Sequence, residues 1–202
     1  MMMSHKRARW PVMIFGALAI LGGVAAWLLA QNPPAQPAAT PAPAPQTQTQ
    51  AASVLRMDGI GPVRIGMTRA EAESALGQSM ALPFPVQGAG AGSCTYGTFA
   101  SLPDGIAFML IGDEIARIDV LRGTVATPEG AWISNDEFAV AGLYGDRASL
   151  SPHKYVEGHY LTVTSSDPAQ DALRYVFETE NGVVTRYRAG RLPEVEYVEG
   201  CS

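Results

Sequence analysis

Residues 175–188, YVFETENGVVTRYR, decide the fold. Apolar and polar side chains alternate on both sides of Asn181-Gly182, and this dipeptide between alternating runs is the strongest short signal for a β-hairpin. The same pattern occurs at 106–120, where Gly112-Asp113 separates two apolar runs. At an offset of 69 residues the two hairpins align, so that Phe108 matches Phe177 and Arg117 matches Arg186.

A short helix precedes each hairpin. In the first, residues 65–77, Thr68 and Glu71 have the spacing of a capping box, and Gly77 supplies the residue that ends the helix. Residues 133–145 align with this segment at an offset of 68. Two independent segments thus repeat at nearly one spacing, which predicts an internal duplication.

The start of the second helix has two interpretations. Asp136 stands at the position of the first helix's cap, with Gly145 as the stop, whereas Ser134 with Glu137 offers a cap two residues earlier.

Further strands are expected at 93–99 and 158–164, and the alternating acids at 194–199 predict a half-buried C-terminal strand. The expected fold class is α+β, with one repeat at 53–123 and a second at 124–202. Each repeat is a helix followed by an antiparallel sheet.

The signature Gly66-Met67-Thr68, Glu71 and Leu76-Gly77, followed by a meander, resembles the β-lactamase-inhibitor-protein-like fold and the small outer-membrane lipoproteins of the β-barrel assembly machine. The resemblance covers roughly 59–190, although the second copy has Ser134-Asn135-Asp136 in place of Gly-Met-Thr. It implies a non-enzymatic domain that holds another protein on a concave sheet or on exposed loops. The matching positions are structural, so the resemblance assigns no functional residue.

The first 52 residues predict an export signal and a spacer. Residues 1–9 carry three basic residues, 10–30 are uncharged and apolar over about 30 Å of helix, and 31–52 are rich in Pro, Ala, Gln and Thr. We expect a single-pass anchor in a bacterial inner membrane, with the domain in the periplasm. The alternative is a cleaved signal and a secreted or periplasmic domain.

The remainder of the chain is acidic. Residues 51–202 contain 11 Lys and Arg against 19 Asp and Glu, a net charge of −8. This balance argues against nucleic-acid binding, which needs Lys and Arg on one face.

Cys94 and Cys201 are the only cysteines of the chain. In an oxidising compartment an even number favours a disulfide, which would tie the C-terminus to the first strand of the first repeat.

Four side chains are candidates for binding. Arg117 and Arg186 occupy matched strand positions and suggest either carboxylate recognition or salt bridges within the sheet, while Trp132 and Tyr160 offer stacking surfaces. His153 and His159 would share a strand face if both lay on one strand, and could then hold a metal with Glu157, but a loop-to-strand segment with ordinary polar side chains is the favoured interpretation. No known metal-ligand spacing occurs, so no metal or cofactor is expected.

These observations predict a non-enzymatic protein that binds an envelope protein, as an assembly factor or an inhibitor. A module that binds peptidoglycan or another glycan is the second hypothesis, and an unrecognised hydrolase is the third. A hydrolase would need a deep pocket where His and carboxylates converge.

Overall fold

The computed structural model describes residues 54–82 and 93–201. The predicted basic tail at 1–9, the predicted membrane segment at 10–30 and the predicted linker at 31–52 all lie outside this part. Within the described ranges, no helix is long and apolar enough to cross a membrane.

A small and a large antiparallel sheet make up the β structure. The small sheet is a three-stranded meander of β1 Leu55–Arg56, β2 Gly59–Ile60 and β3 Val63–Arg64. The large sheet has seven strands in the spatial order β4-β5-β6-β10-β9-β8-β7. Their bounds are β4 Cys94–Gly97, β5 Ile106–Ile111, β6 Glu114–Val120, β7 Ala148–Pro152, β8 His159–Thr164, β9 Leu173–Glu180 and β10 Val183–Arg191.

Both predicted hairpins are present, as β5–β6 and β9–β10, each with a two-residue connection. Each ladder also shifts register at a matched place, after Met109 in the first hairpin and between Val184 and Arg186 in the second. The two hairpins join through β6 and β10, where Asp119 pairs with Arg188. These two residues are themselves 69 positions apart.

Helix α1, Arg69–Leu76, has the predicted capping box, because Thr68 and Glu71 each accept a hydrogen bond from the other's backbone N–H. Gly77 ends it in the left-handed conformation, at φ 66°. Helix α2, Glu137–Tyr144, is capped by Asp136, which accepts from the Ala139 N–H.

The residues before each helix bind the following hairpin in a matching way. Gly66 N–H donates to the Ile115 carbonyl, and Ile115 N–H donates to Met67. Sixty-eight or 69 positions later, Ser134 N–H donates to Val184, whose own N–H donates to the residue after Ser134. Each helix start is therefore fixed to its hairpin by matching backbone hydrogen bonds.

The apolar core lies between the helices and one face of the large sheet. Val140 and Tyr144 of α2 are buried, and the Tyr144 ring lies 6.0 Å from that of Phe177. Ala72 of α1 and Phe108 of β5 belong to the same buried cluster. Because side chains alternate along strands, every second residue of these strands faces away from the helices.

The predicted C-terminal strand is wrong. Residues Glu194–Glu196 form a 3₁₀ turn, and the chain then continues without strand pairing to Cys201. Arginine side chains bind three backbone carbonyls of this segment in place of strand pairing. The predicted disulfide between Cys94 and Cys201 is confirmed, with an S–S distance of 1.98 Å.

Candidate functional site

Five charged residues lie on the sheet face opposite the helices. They occupy alternate positions on the three central strands, and four of them are nearly buried. They are Arg117 and Asp119 on β6, Glu178 on β9, and Arg186 and Arg188 on β10.

Arg117 forms the first half of this cluster. The residue is 4% exposed, and its guanidinium donates from Nε to Oδ2 of Asp119 at 3.0 Å, while Nη2 donates to the Tyr96 hydroxyl at 2.5 Å. Asp119 is 6% exposed. The two nearly buried charges on β6 therefore compensate each other.

Glu178 forms the second half. Its carboxylate receives Arg186 Nε at 2.5 Å and Arg188 Nη1, and lies 3.3 Å from His153 Nε2. The Glu178 side chain is 3% exposed, so three donors replace its lost hydration.

The same arginines hold the C-terminal segment against the sheet. Arg117 Nη1 donates to the carbonyls of Glu194, at 3.1 Å, and Tyr197, at 2.8 Å. Arg188 Nε donates to the carbonyl of Val195 at 2.6 Å. Three main-chain carbonyls are therefore bound by arginine side chains, as they would be in a bound peptide, and that of Glu194 also accepts the Tyr197 N–H.

A cavity of about 360 Å³ opens beside this segment. Arg186 lines this cavity, and its side chain is 52% exposed, whereas the other four charged residues of the cluster are nearly buried. Oδ1 of Asp119 accepts no hydrogen bond from the described residues, although this residue also lines the cavity. The site therefore presents one accessible cation and one nearly buried acceptor. The complete lining is Tyr96, Ala107, Arg117, Asp119, Leu121, Glu178, Arg186, Tyr187, Arg188, Val198, Glu199 and Gly200.

Burial and neighbouring charges shift the pKa values of the two carboxylates, Asp119 and Glu178, in opposite directions. Burial raises the pKa of Asp119, and the bond from Arg117 only partly offsets it. Burial also acts to raise the pKa of Glu178, but the charges and bonds of Arg188 and Arg186 outweigh it and hold that pKa below its usual value. Burial, together with the charge of Asp119, raises the pKa of the Tyr96 hydroxyl.

His153 is engaged at both ring nitrogens. Nδ1 accepts from the backbone N–H groups of Tyr155, at 3.1 Å, and Val156, at 3.3 Å. Nε2 then carries the proton and points at Glu178, a tautomer that follows from the bonding pattern. The ring also stacks on Tyr160 at 4.4 Å.

Three of the four predicted binding residues share this face. Arg117 and Arg186 both form salt bridges within the sheet, and Tyr160 lines a smaller cavity beside Arg188. Trp132 does not join them, because it lies in the turn before α2, where its N–H donates to Asn135.

The two histidines do not share a face, and residues 153–158 lead from β7 into β8 as a loop. His153 faces Glu178, whereas His159 binds Glu137 at the start of α2, with Nδ1 3.0 Å from the nearer carboxylate oxygen. A turn separates them, so even spacing along a strand does not apply. Within the two described ranges no group of three or more His, Cys, Asp or Glu could hold a metal ion.

Sequence reasoning did not assign Asp119, Glu178 or Arg188 to a binding site. The available signal was their alternation: 117 and 119, and 186 and 188, are charged positions two apart inside otherwise apolar strands. Charges at such positions share one face of the sheet.

No protein-family model matches the chain, and no curated protein matches its sequence. Solved structures similar to it include the uncharacterized protein YfeY from Escherichia coli, with a TM-score of 0.41 and 13% identity, covering 68% of this chain and 99% of that one. A DUF4309 family protein, YjgB, from Bacillus subtilis has a TM-score of 0.38 and 10% identity, covering 71% and 93% respectively. Similarities at this level carry no argument about function.

Proposed function

We propose that this chain is a non-enzymatic, membrane-anchored protein of the cell envelope, with its domain in the periplasm. It binds a segment of another envelope protein on the sheet face opposite the helices, in the manner that the β-lactamase-inhibitor-protein-like resemblance implies. The arginine cluster and the adjacent cavity form the binding surface.

The observation that carries this proposal is the way the face holds its own C-terminus. Arg117 and Arg188 bind three main-chain carbonyls, which is recognition of a peptide backbone. Beside this segment, Arg186 offers a guanidinium to a carbonyl or carboxylate, and Asp119 offers an acceptor to an N–H. A partner segment could therefore bind to a donor and an acceptor that lie beside the chain's own C-terminal segment.

The proposal includes a duplicated scaffold. The matched backbone bonds at the two helix starts, the matched register shifts and the pairing of Asp119 with Arg188 support it. Asp119 and Arg188 occupy equivalent positions in the two hairpins, and they pair where a pseudo-twofold axis would cross the sheet. Such a scaffold gives the face two related halves, each with an arginine at the matched position.

The bonding of His153 favours binding over hydrolysis. A general base needs a free lone pair within reach of the proton that it removes. Nδ1 of His153 already accepts two backbone N–H bonds, and Nε2 faces the carboxylate of Glu178. These groups hold the turn after β7 in place, which is a structural role.

The test compares Arg186→Ala with Arg122→Ala. Arg122 is a matched control, because it also pairs with a carboxylate, Asp104, but lies outside the cavity. Chemical cross-linking in cells followed by purification should recover the same envelope protein with the wild type and Arg122→Ala, and at least tenfold less with Arg186→Ala. We expect this loss because interface arginines often dominate binding energy.

Retention on purified peptidoglycan distinguishes the glycan-binding hypothesis from the proposal that the partner is a protein. If wild type binds peptidoglycan and Arg186→Ala does not, while no protein is recovered, the partner is a glycan. Equal recovery of the partner by both variants would contradict the proposed surface.

A further inference from the structure

The outer face of α2 is apolar and uncovered. The Phe138 side chain is the most exposed large apolar group described, at 71%, and Leu143 is 46% exposed. Between them lie two small exposed residues, Ala139 and Gly142. The opposite side of the helix packs in the core through Val140.

Helix α1 provides an internal comparison. Sixty-eight positions before Phe138 the chain has Ala70, and 68 before Leu143 it has Ala75, both exposed. The position matching Gly142 is the exposed Ser74. Helix α1 also has a side-chain cap and is attached to its hairpin by matching backbone bonds, yet it carries a small and polar outer face. The fold itself does not require large apolar side chains there.

Gly142 is unexplained by the packing within one chain. It lies inside α2, where glycine is the least favourable residue apart from proline. A Cβ built at Gly142 would meet nothing within 4 Å. The absence of a side chain therefore serves no contact among the described residues, but it would allow another backbone to approach closely.

We infer that α2 packs against α2 of a second copy of this chain, antiparallel and about a twofold axis. The four exposed residues of α2 are, in chain order, large, small, small and large, so their order is the same when it is read from either end of the helix. Turning one helix about the midpoint of the four residues places Phe138 opposite the second copy's Leu143, and Ala139 opposite its Gly142. Such a surface is self-complementary, as a twofold interface requires, whereas a foreign partner would need no such symmetry.

The helix dipoles agree with a weak pair of this kind, because antiparallel packing sets the N-terminal end of one α2 beside the C-terminal end of the other. The side-chain charges give no preference, because Asp136 at one end would meet both Asp146 and Arg147 at the other. One helix face buries roughly half of the ~800 Å² per partner that stable complexes use. The predicted membrane anchor would add a high effective concentration to this small interface.

Cysteine cross-linking tests the inference on the full chain in membranes. Gly142→Cys, treated with a short bis-maleimide, should give a cross-linked species of twice the chain's mass. Ser74→Cys is the matched control on α1 and should give at least tenfold less. Adding Phe138→Glu to Gly142→Cys should remove the cross-link at an unchanged melting temperature, because Phe138 contributes little to the core.

Three outcomes would overturn the inference. They are equal cross-linking of Gly142→Cys and Ser74→Cys, a product of Gly142→Cys with a different protein in place of the doubled chain, and a Gly142→Cys variant that stays monomeric in membranes.

Discussion

Replacing Glu178 by alanine is expected to lower the free energy of unfolding by about 3–5 kcal/mol. The substitution leaves Arg188, 4% exposed, with its charge buried and uncompensated, and removes the partner of Arg186 and His153. Denaturant unfolding of the purified protein at pH 7, with the disulfide intact, measures the change. Asp104→Ala is the control, because the Asp104–Arg122 pair is exposed and should contribute less than about 1 kcal/mol. An equally small loss for Glu178→Ala would contradict the cluster's structural role.

The same residue gives a prediction about pH. The pKa of Glu178 in the folded protein lies below its usual value of 4.5, so its ionised form stabilises the fold above that pH. This contribution is lost as the pH falls below about 4.5 and through the lowered folded pKa. Glu178→Gln should therefore be less stable than wild type at pH 7, and the difference should narrow on acidification. Burial and, to a smaller extent, the charge of Glu178 raise the pKa of Asp119, so this residue changes stability in the opposite sense, and by less in Glu178→Gln.

Removing the disulfide is expected to lower the free energy of unfolding by about as much as Glu178→Ala does. Cys94 and Cys201 are 107 residues apart, and the chain-entropy estimate for a loop of this size is about 4.7 kcal/mol. The double variant Cys94→Ala/Cys201→Ala should also show faster amide exchange at 197–201, because the cross-link no longer holds this segment against β4. Denaturation and hydrogen exchange measure the two effects.

The single variants provide the control. Cys94→Ala and Cys201→Ala should each lose about as much stability as the double variant, because the cross-link needs both sulfurs. Additive losses, or a double variant within about 1 kcal/mol of wild type, would show that the bond does not stabilise this fold as the loop length predicts.

The sequence predicts those parts of the fold that are determined locally. Asn181-Gly182 and Gly112-Asp113 specify two-residue connections, and the capping box at Thr68 specifies the start of α1. It does not reveal β7, because Ala148–Pro152 is an edge strand that is mostly exposed and contains a proline, and so shows no alternation.

The charged cluster is harder to predict, since its partners are distant in the chain. Arg117 and Tyr197, 80 residues apart, meet through a sheet that pairs β6 with β10. The acids at 194–199 alternate as they would in a strand, but this segment lies over a sheet face. Guanidinium groups below it supply the hydrogen bonds that strand pairing would otherwise supply.

Photo-cross-linking at Tyr160 is the most direct test of the claim that this sheet face binds a partner. A benzophenone amino acid replaces Tyr160, which is partly exposed beside the arginine cluster, or Ala70, which is exposed on α1. Irradiation of intact cells should give one discrete adduct with an envelope protein from position 160 and none from position 70. An adduct from position 70 alone, or none from position 160, would contradict the account.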